Sequence, residues 1–190
     1  MNFQNKLLLI LFFSSLRIFG SETVPDTLSI NYLRTEFYAA VEDEDKTYFL
    51  EQYIIKKYSE DYTNYNPIIL AYFGGVQALK AKHAFNPVSK LSHLISGLNR
   101  LEEAISKSPG NLEIRFMRFS ILDHVPGVLG YSTERESDKD KICLLLLRKD
   151  YSTLSYQIQK GIAEYMIASD RLTIQQKTEI LDLLSSFANK

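Results

Sequence analysis

The chain of 190 residues has one cysteine and no tryptophan, and only eight glycines and five prolines punctuate it. One cysteine excludes an internal disulfide, so the fold must stand on its apolar core. That thiol, Cys143, lies in the run Ile142-Cys143-Leu144-Leu145-Leu146-Leu147, whose apolar character disfavours a reactive thiolate. The three histidines, His83, His93 and His124, have no histidine or cysteine three or four residues on, and no CxxC, HExxH or aspartate-rich calcium loop occurs. No GxSxG elbow, GxxxxGK[ST] loop or GxGxxG turn is present either. The pattern therefore implies no metal and no cofactor, and points away from the common enzyme classes. A formal charge of −1 gives no reason to expect nucleic acid or an anionic membrane as partner.

What is present begins with a targeting pattern. A polar start carrying Lys6 leads into Leu7-Leu8-Leu9-Ile10-Leu11-Phe12-Phe13, and small residues follow at Gly20-Ser21. This reads as a secretory signal peptide over residues 1–20, cut after Gly20, with a short retained anchor as the alternative. A membrane span needs about 20 apolar residues, and this run is shorter and interrupted by Arg17. Cleavage removes Lys6 and Arg17 and shifts the formal charge to −3. The expectation is one exported domain over 22–190. Its lack of disulfides suits a bacterial periplasm better than a eukaryotic secretory route.

Apolar spacing is helical almost throughout, and the starts are marked. Asn66-Pro67 and Asn86-Pro87 each place a capping acceptor before a proline at the first helical position. Thr133 with Glu136, and Thr173 with Gln176, have capping-box spacing. The fold class expected is all-α, an antiparallel helical array. Its eight helices are expected near 28–41, 43–58, 67–83, 87–107, 111–125, 133–149, 152–169 and 173–188. The third, Ile68 to Leu79, is apolar all round and belongs in the middle of a bundle. The fifth carries Arg115 and Arg118 on an otherwise apolar surface, and the third and fifth are expected to form the central pair.

Gly97, Leu101, Ala104 and Pro109 recur at the spacing that tetratricopeptide repeats use for small, large apolar, alanine and closing proline residues. With Leu70, Phe73 and Gly74 they make residues 67–109 resemble such a helical hairpin. The Gly74-to-Gly97 interval of 23 residues departs from the roughly 12 of that family. The stretch Ala78 to Tyr131 is also similar to small exported bacterial helical proteins. Its shared residues include Phe85-Asn86-Pro87, Glu113-Ile114-Arg115-Phe116 and Leu129-Gly130-Tyr131. That resemblance implies export and a helical fold and no particular chemistry.

Two groups of residues invite a functional reading. Lys80, Lys82, Asn86 and Lys90 with Arg115 and Arg118 would make an anion pocket, because arginines on an apolar helix are costly unless something negative meets them. The structural alternative is that Glu102, Glu103 or Glu113 meets them within the protein. Tyr48, Tyr53, Tyr58, Tyr62 and Tyr65 crowd one span and suit either peptide contact or the edge of a core. The charged stretch Glu134 to Lys141 reads as a solvated helical turn. The leading expectation is a non-catalytic interaction module of the bacterial envelope, binding a protein or peptide in a groove of the central helices. A small-molecule or anion binder is the first alternative. An enzyme with an unrecognised site near His124 and Tyr131 is the second.

Overall fold

The computed structural model describes residues 27–188; the expected signal segment, 1–20, lies outside the described residues. Among the described residues, eight α-helices account for most of the backbone: α1 (Thr27–Ala40), α2 (Glu44–Tyr58), α3 (Pro67–His83), α4 (Pro87–Lys107), α5 (Leu112–Asp123), α6 (Ser132–Leu147), α7 (Tyr156–Ala168) and α8 (Ile174–Ala188). Short 3-10 turns at Tyr62–Asn64 and Gly127–Leu129 are the only other regular elements, and no strand occurs among the described residues. The protein is all-α, a helical array.

The side-chain caps explain most of the helix starts. Asp43, Asn66, Asn86 and Asn111 each accept a hydrogen bond from a backbone N–H two or three residues on, at 3.0, 3.2, 2.8 and 3.1 Å. Thr173 and Gln176 close a reciprocal box, each side chain accepting from the other's N–H. The expected box at Thr133 does not form. The helix begins one residue earlier, Tyr131 occupies the cap position, and no side chain caps it. Gly130, at φ 83°, ends the preceding 3-10 turn and delivers the chain into α6 at that point. The seventh helix, by contrast, starts later than its spacing suggests, at Tyr156. Asp150 accepts from Ser152 N at 3.0 Å, and the Gln159 amide donates to the Asp150 and Leu154 carbonyls. Those bonds hold residues 150–155 out of helical geometry.

Every residue from Ile68 to Leu79 is buried, so α3 is the centre of the first core. Its tightest neighbour is α4 rather than the expected α5. A Cβ added at Gly97 would stand 2.7 Å from the Gly74 carbonyl oxygen, so the two backbones cross almost in contact. Gly75 faces Met117 of α5 and Phe37 of α1. The first core gathers α1 to α4 with Ile114, Met117 and Leu122 of α5. A second core gathers Phe119 of α5 with Ile142, Leu146, Ile162, Met166, Ile180 and Leu183 of α6 to α8. Helix α5 therefore has apolar residues in both cores, and this is why so little of its circumference is polar.

Candidate functional site

Arg115 and Arg118 sit one turn apart on α5, where the two cores meet. Both are paired within the protein. Asp138 of α6, fully buried, accepts from Arg115 Nη1 at 2.7 Å and from Arg118 Nε and Nη2 at 2.6 and 3.0 Å. The Arg118 fork is thus bidentate, the strongest geometry available to this pair. Glu102 of α4 takes the remaining Arg118 nitrogen, Nη1. Burial pulls the Arg118 guanidinium toward its neutral form, but the Asp138 and Glu102 carboxylates outweigh that and raise its pKa.

Of the three acids expected to meet these arginines, only Glu102 does. Glu103 pairs with Lys107 at 2.8 Å. Glu113 is held by Arg34 through two 2.7 Å bonds and accepts a third from the Tyr72 hydroxyl at 2.7 Å. Burial and that carboxylate together push the Tyr72 phenol well above its usual range. Asp138 lies in the stretch expected to be solvated. Its spacing to Ile142 and Leu146, four and eight residues on, marks the buried face of α6, and that signal was available.

Beside the arginines, α4 and the first turns of α6 border an open cleft of about 430 Å³. Ser106, Thr133 and Ser137 offer hydroxyls to it, and Glu102 and Glu134 offer carboxylates. Two guanidiniums face three carboxylates once Asp138 is counted, so the local balance is negative. That balance opposes an anionic ligand.

The lysine half of the expected pocket stands elsewhere. Lys80 donates to both oxygens of Glu51 at 2.9 and 3.0 Å. Lys82 pairs with Glu42 at 2.6 Å, and Asn86 is spent capping α4. Lys90 is exposed. Lys80, His83 and His93 border a smaller hollow of about 150 Å³ with Tyr48, and this lining shares no residue with the arginine cleft. His124 terminates α5, its Nδ1 2.8 Å from the Ser120 carbonyl oxygen, while Tyr131 packs against the first core. No hydrogen bond joins His124 to Tyr131 among the described residues. No group of three or more potential ligands that could hold a metal occurs among them either.

The crowded tyrosines are mainly structural. Tyr32 packs at a tilt on Tyr53 at 4.7 Å, Tyr58 meets Tyr65 at 6.1 Å, and Tyr62 and Tyr65 both pack on Phe73. Arg100 lies over the Tyr62 and Phe73 rings at 4.5 and 4.8 Å. Of the five crowded tyrosines, only Tyr48 is exposed.

Cys143 is buried in the second core, and burial pushes its thiol up to about 11. Folded protein at pH 8 should therefore resist iodoacetamide, and labelling should become fast only in denaturant. Rapid labelling of native protein would show that α6 is more accessible than its packing indicates.

The surface that sequence reasoning missed lies on the first half of α4 and the turn before it. Phe85 is wholly exposed, Val88 is 77% exposed, and Leu91 and Ile95 follow at 43% and 39%. At 3.6 residues per turn, Val88, Leu91 and Ile95 fall within an arc of about 60°. Leu98 and Glu102 continue the same line, but there Leu98 is buried and Glu102 meets α5. Helix α4 has 21 residues and α5 only 12, about 31 and 18 Å long. In comparison with known proteins, no family model matches the chain, and no curated protein and no solved structure matches it either.

Proposed function

We propose that the protein is a non-catalytic helical interaction module, exported to the bacterial envelope, whose docking surface is the first half of α4. One observation carries this reading: a fully exposed phenylalanine is followed by an exposed apolar stripe of two turns, Val88, Leu91 and Ile95, which becomes buried only at Leu98. Scattered exposed apolar residues need no explanation, whereas contiguous ones mark interaction sites. The exported location rests on the signal-like N-terminal sequence, and the repeat-like hairpin of residues 67–109 is supported by the Gly74–Gly97 crossing. The arginine cleft supports a small-ligand reading less well, because its cations are already matched by internal carboxylates.

Affinity purification from the native compartment tests the proposal. A protein recovered with the wild-type chain and lost with Phe85→Asp or Val88→Asp, at unchanged thermal stability, supports it. Equal recovery with the variants would remove α4 from consideration. Both side chains are exposed, so stability should change by no more than about 0.5 kcal/mol.

A further inference from the structure

The line of the α4 stripe leads into the arginine cleft. At about 100° per residue, Glu102 and Ser106 fall in the same arc of about 60° as Val88, Leu91 and Ile95. Leu98 between them is buried, while Asn99, at the edge of the arc, is exposed. Glu102 and Ser106 also border the cleft of about 430 Å³. One face of α4 therefore passes from exposed apolar side chains to a polar hollow. The charges of that hollow are unevenly spent. All three Arg118 nitrogens are taken by Asp138 and Glu102, and Arg115 donates to Asp138 and to the Pro109 carbonyl. Glu134, on the α6 side, keeps its Oε2 buried and without a hydrogen bond. Glu102 is 59% exposed and meets Arg118 through Oε2. The excess negative charge of the cleft thus rests on Glu102 and Glu134, and the group it lacks is a hydrogen-bond-donating cation.

We propose that the partner docked on α4 is a helical segment, apolar along one face and basic at one end, whose lysine or arginine enters the cleft beside Glu102 and Glu134; the proposal rests on the docking reading above. Helix recognition through apolar anchors at i, i+3 and i+7 is a recurring mode, and Val88, Leu91 and Ile95 have that spacing. Ile95 and Glu102 are seven residues apart, about 10 Å along the helix. The partner's basic residue therefore stands about two turns beyond the apolar side chain that meets Ile95. A lysine ammonium has three donors, and the Ser106, Thr133 and Ser137 hydroxyls can accept those that the carboxylates leave. A wholly apolar occupant reaching as far as Glu102 would strip water from that carboxylate and return nothing. An acidic one would be repelled. The stripe supplies the contact area, and the two carboxylates select the partner and fix which way it lies.

Two fluorescein-labelled helical peptides of about 20 residues test this by fluorescence anisotropy. Both are built of leucine, alanine and glutamine, with leucines at i, i+3 and i+7. One carries lysines at i+14 and i+18, and the other carries glutamates there. The lysine peptide should bind at least about tenfold more tightly than the glutamate peptide at low ionic strength, and the preference should shrink as salt is added. Glu102→Gln with Glu134→Gln should reduce that preference to less than about threefold, at an unchanged melting temperature. Val88→Ser, which alters no charge, should weaken the lysine peptide by at least about fivefold. Equal binding of the two peptides, each lost in Val88→Ser, overturns the basic end and leaves the docking surface standing. A lysine preference indifferent to Val88→Ser overturns the joint site, because the acids would then act without the stripe. A preference that survives removal of both carboxylates overturns the role of the cleft. Absence of binding by either peptide up to about 1 mM overturns the proposal outright, while the docking reading still answers to the affinity purification.

Discussion

Replacing Asp138 by alanine should destabilise the protein by about 3–5 kcal/mol, lowering its melting temperature by about 6–20 °C. The carboxylate is fully buried and serves two guanidiniums at once. Its loss leaves Arg118, itself 5% exposed, with only the Glu102 partner at the solvent edge. A buried cation stripped of its counter-charge is among the few single changes that cost this much. Glu102→Gln should cost less than about 1 kcal/mol, because that carboxylate is 59% exposed and water can replace it. The pair Arg118→Met with Asp138→Leu should recover only part of the loss, since apolar side chains can replace that ion pair but Arg115, 13% exposed, still lacks its carboxylate. Thermal denaturation of the three variants decides the matter. A loss in Glu102→Gln as large as in Asp138→Ala would mean that the network is held from its exposed end, and the charge accounting of the cleft would have to be redrawn.

That network also shows where local sequence logic stops. Caps at Asn66, Asn86 and Thr173 were legible because a cap is satisfied within three residues of itself. The central place of α3 was legible because a helix apolar on all sides has no face to give to water. The identity of the acid beneath Arg115 and Arg118 was not. Glu102, Glu103, Glu113 and Asp138 all lie within 25 residues, and the angle between α5 and α6 decides which carboxylate arrives. The rotation of α6 alone places Asp138 inward while its neighbour Asp140 stays exposed. Exposure of the α4 stripe was equally hidden. Val88, Leu91 and Ile95 are apolar at helical spacing, as a core face would be, yet they are exposed while Leu98 on the same helix is buried. Burial of a helix face depends on what its neighbours cover, which no window on the helix itself contains.

The four glycines within helices should respond to alanine in a fixed order that reports on the packing of α3. At Gly97 a Cβ would meet the Gly74 carbonyl oxygen at 2.7 Å and the Ala78 backbone nitrogen at 2.9 Å. At Gly74 it would meet the Gly97 carbonyl oxygen at 2.9 Å. Backbone atoms inside two packed helices cannot step aside without moving the helices, and overpacking of this kind costs about 1–3 kcal/mol or more. Alanine's better helix propensity returns only about 1 kcal/mol. Gly97→Ala and Gly74→Ala should therefore lose about 2 kcal/mol net, or roughly 4–8 °C. Gly75→Ala should lose less, because its close neighbours are the Met117 sulfur and the Phe37 ring, both ends of side chains that can turn. Gly161, exposed in α7 with nothing within 4 Å of a Cβ, should gain about 0.5–1 kcal/mol as alanine. A series in which Gly97→Ala is neutral would mean that α3 and α4 stand further apart than their backbones are drawn.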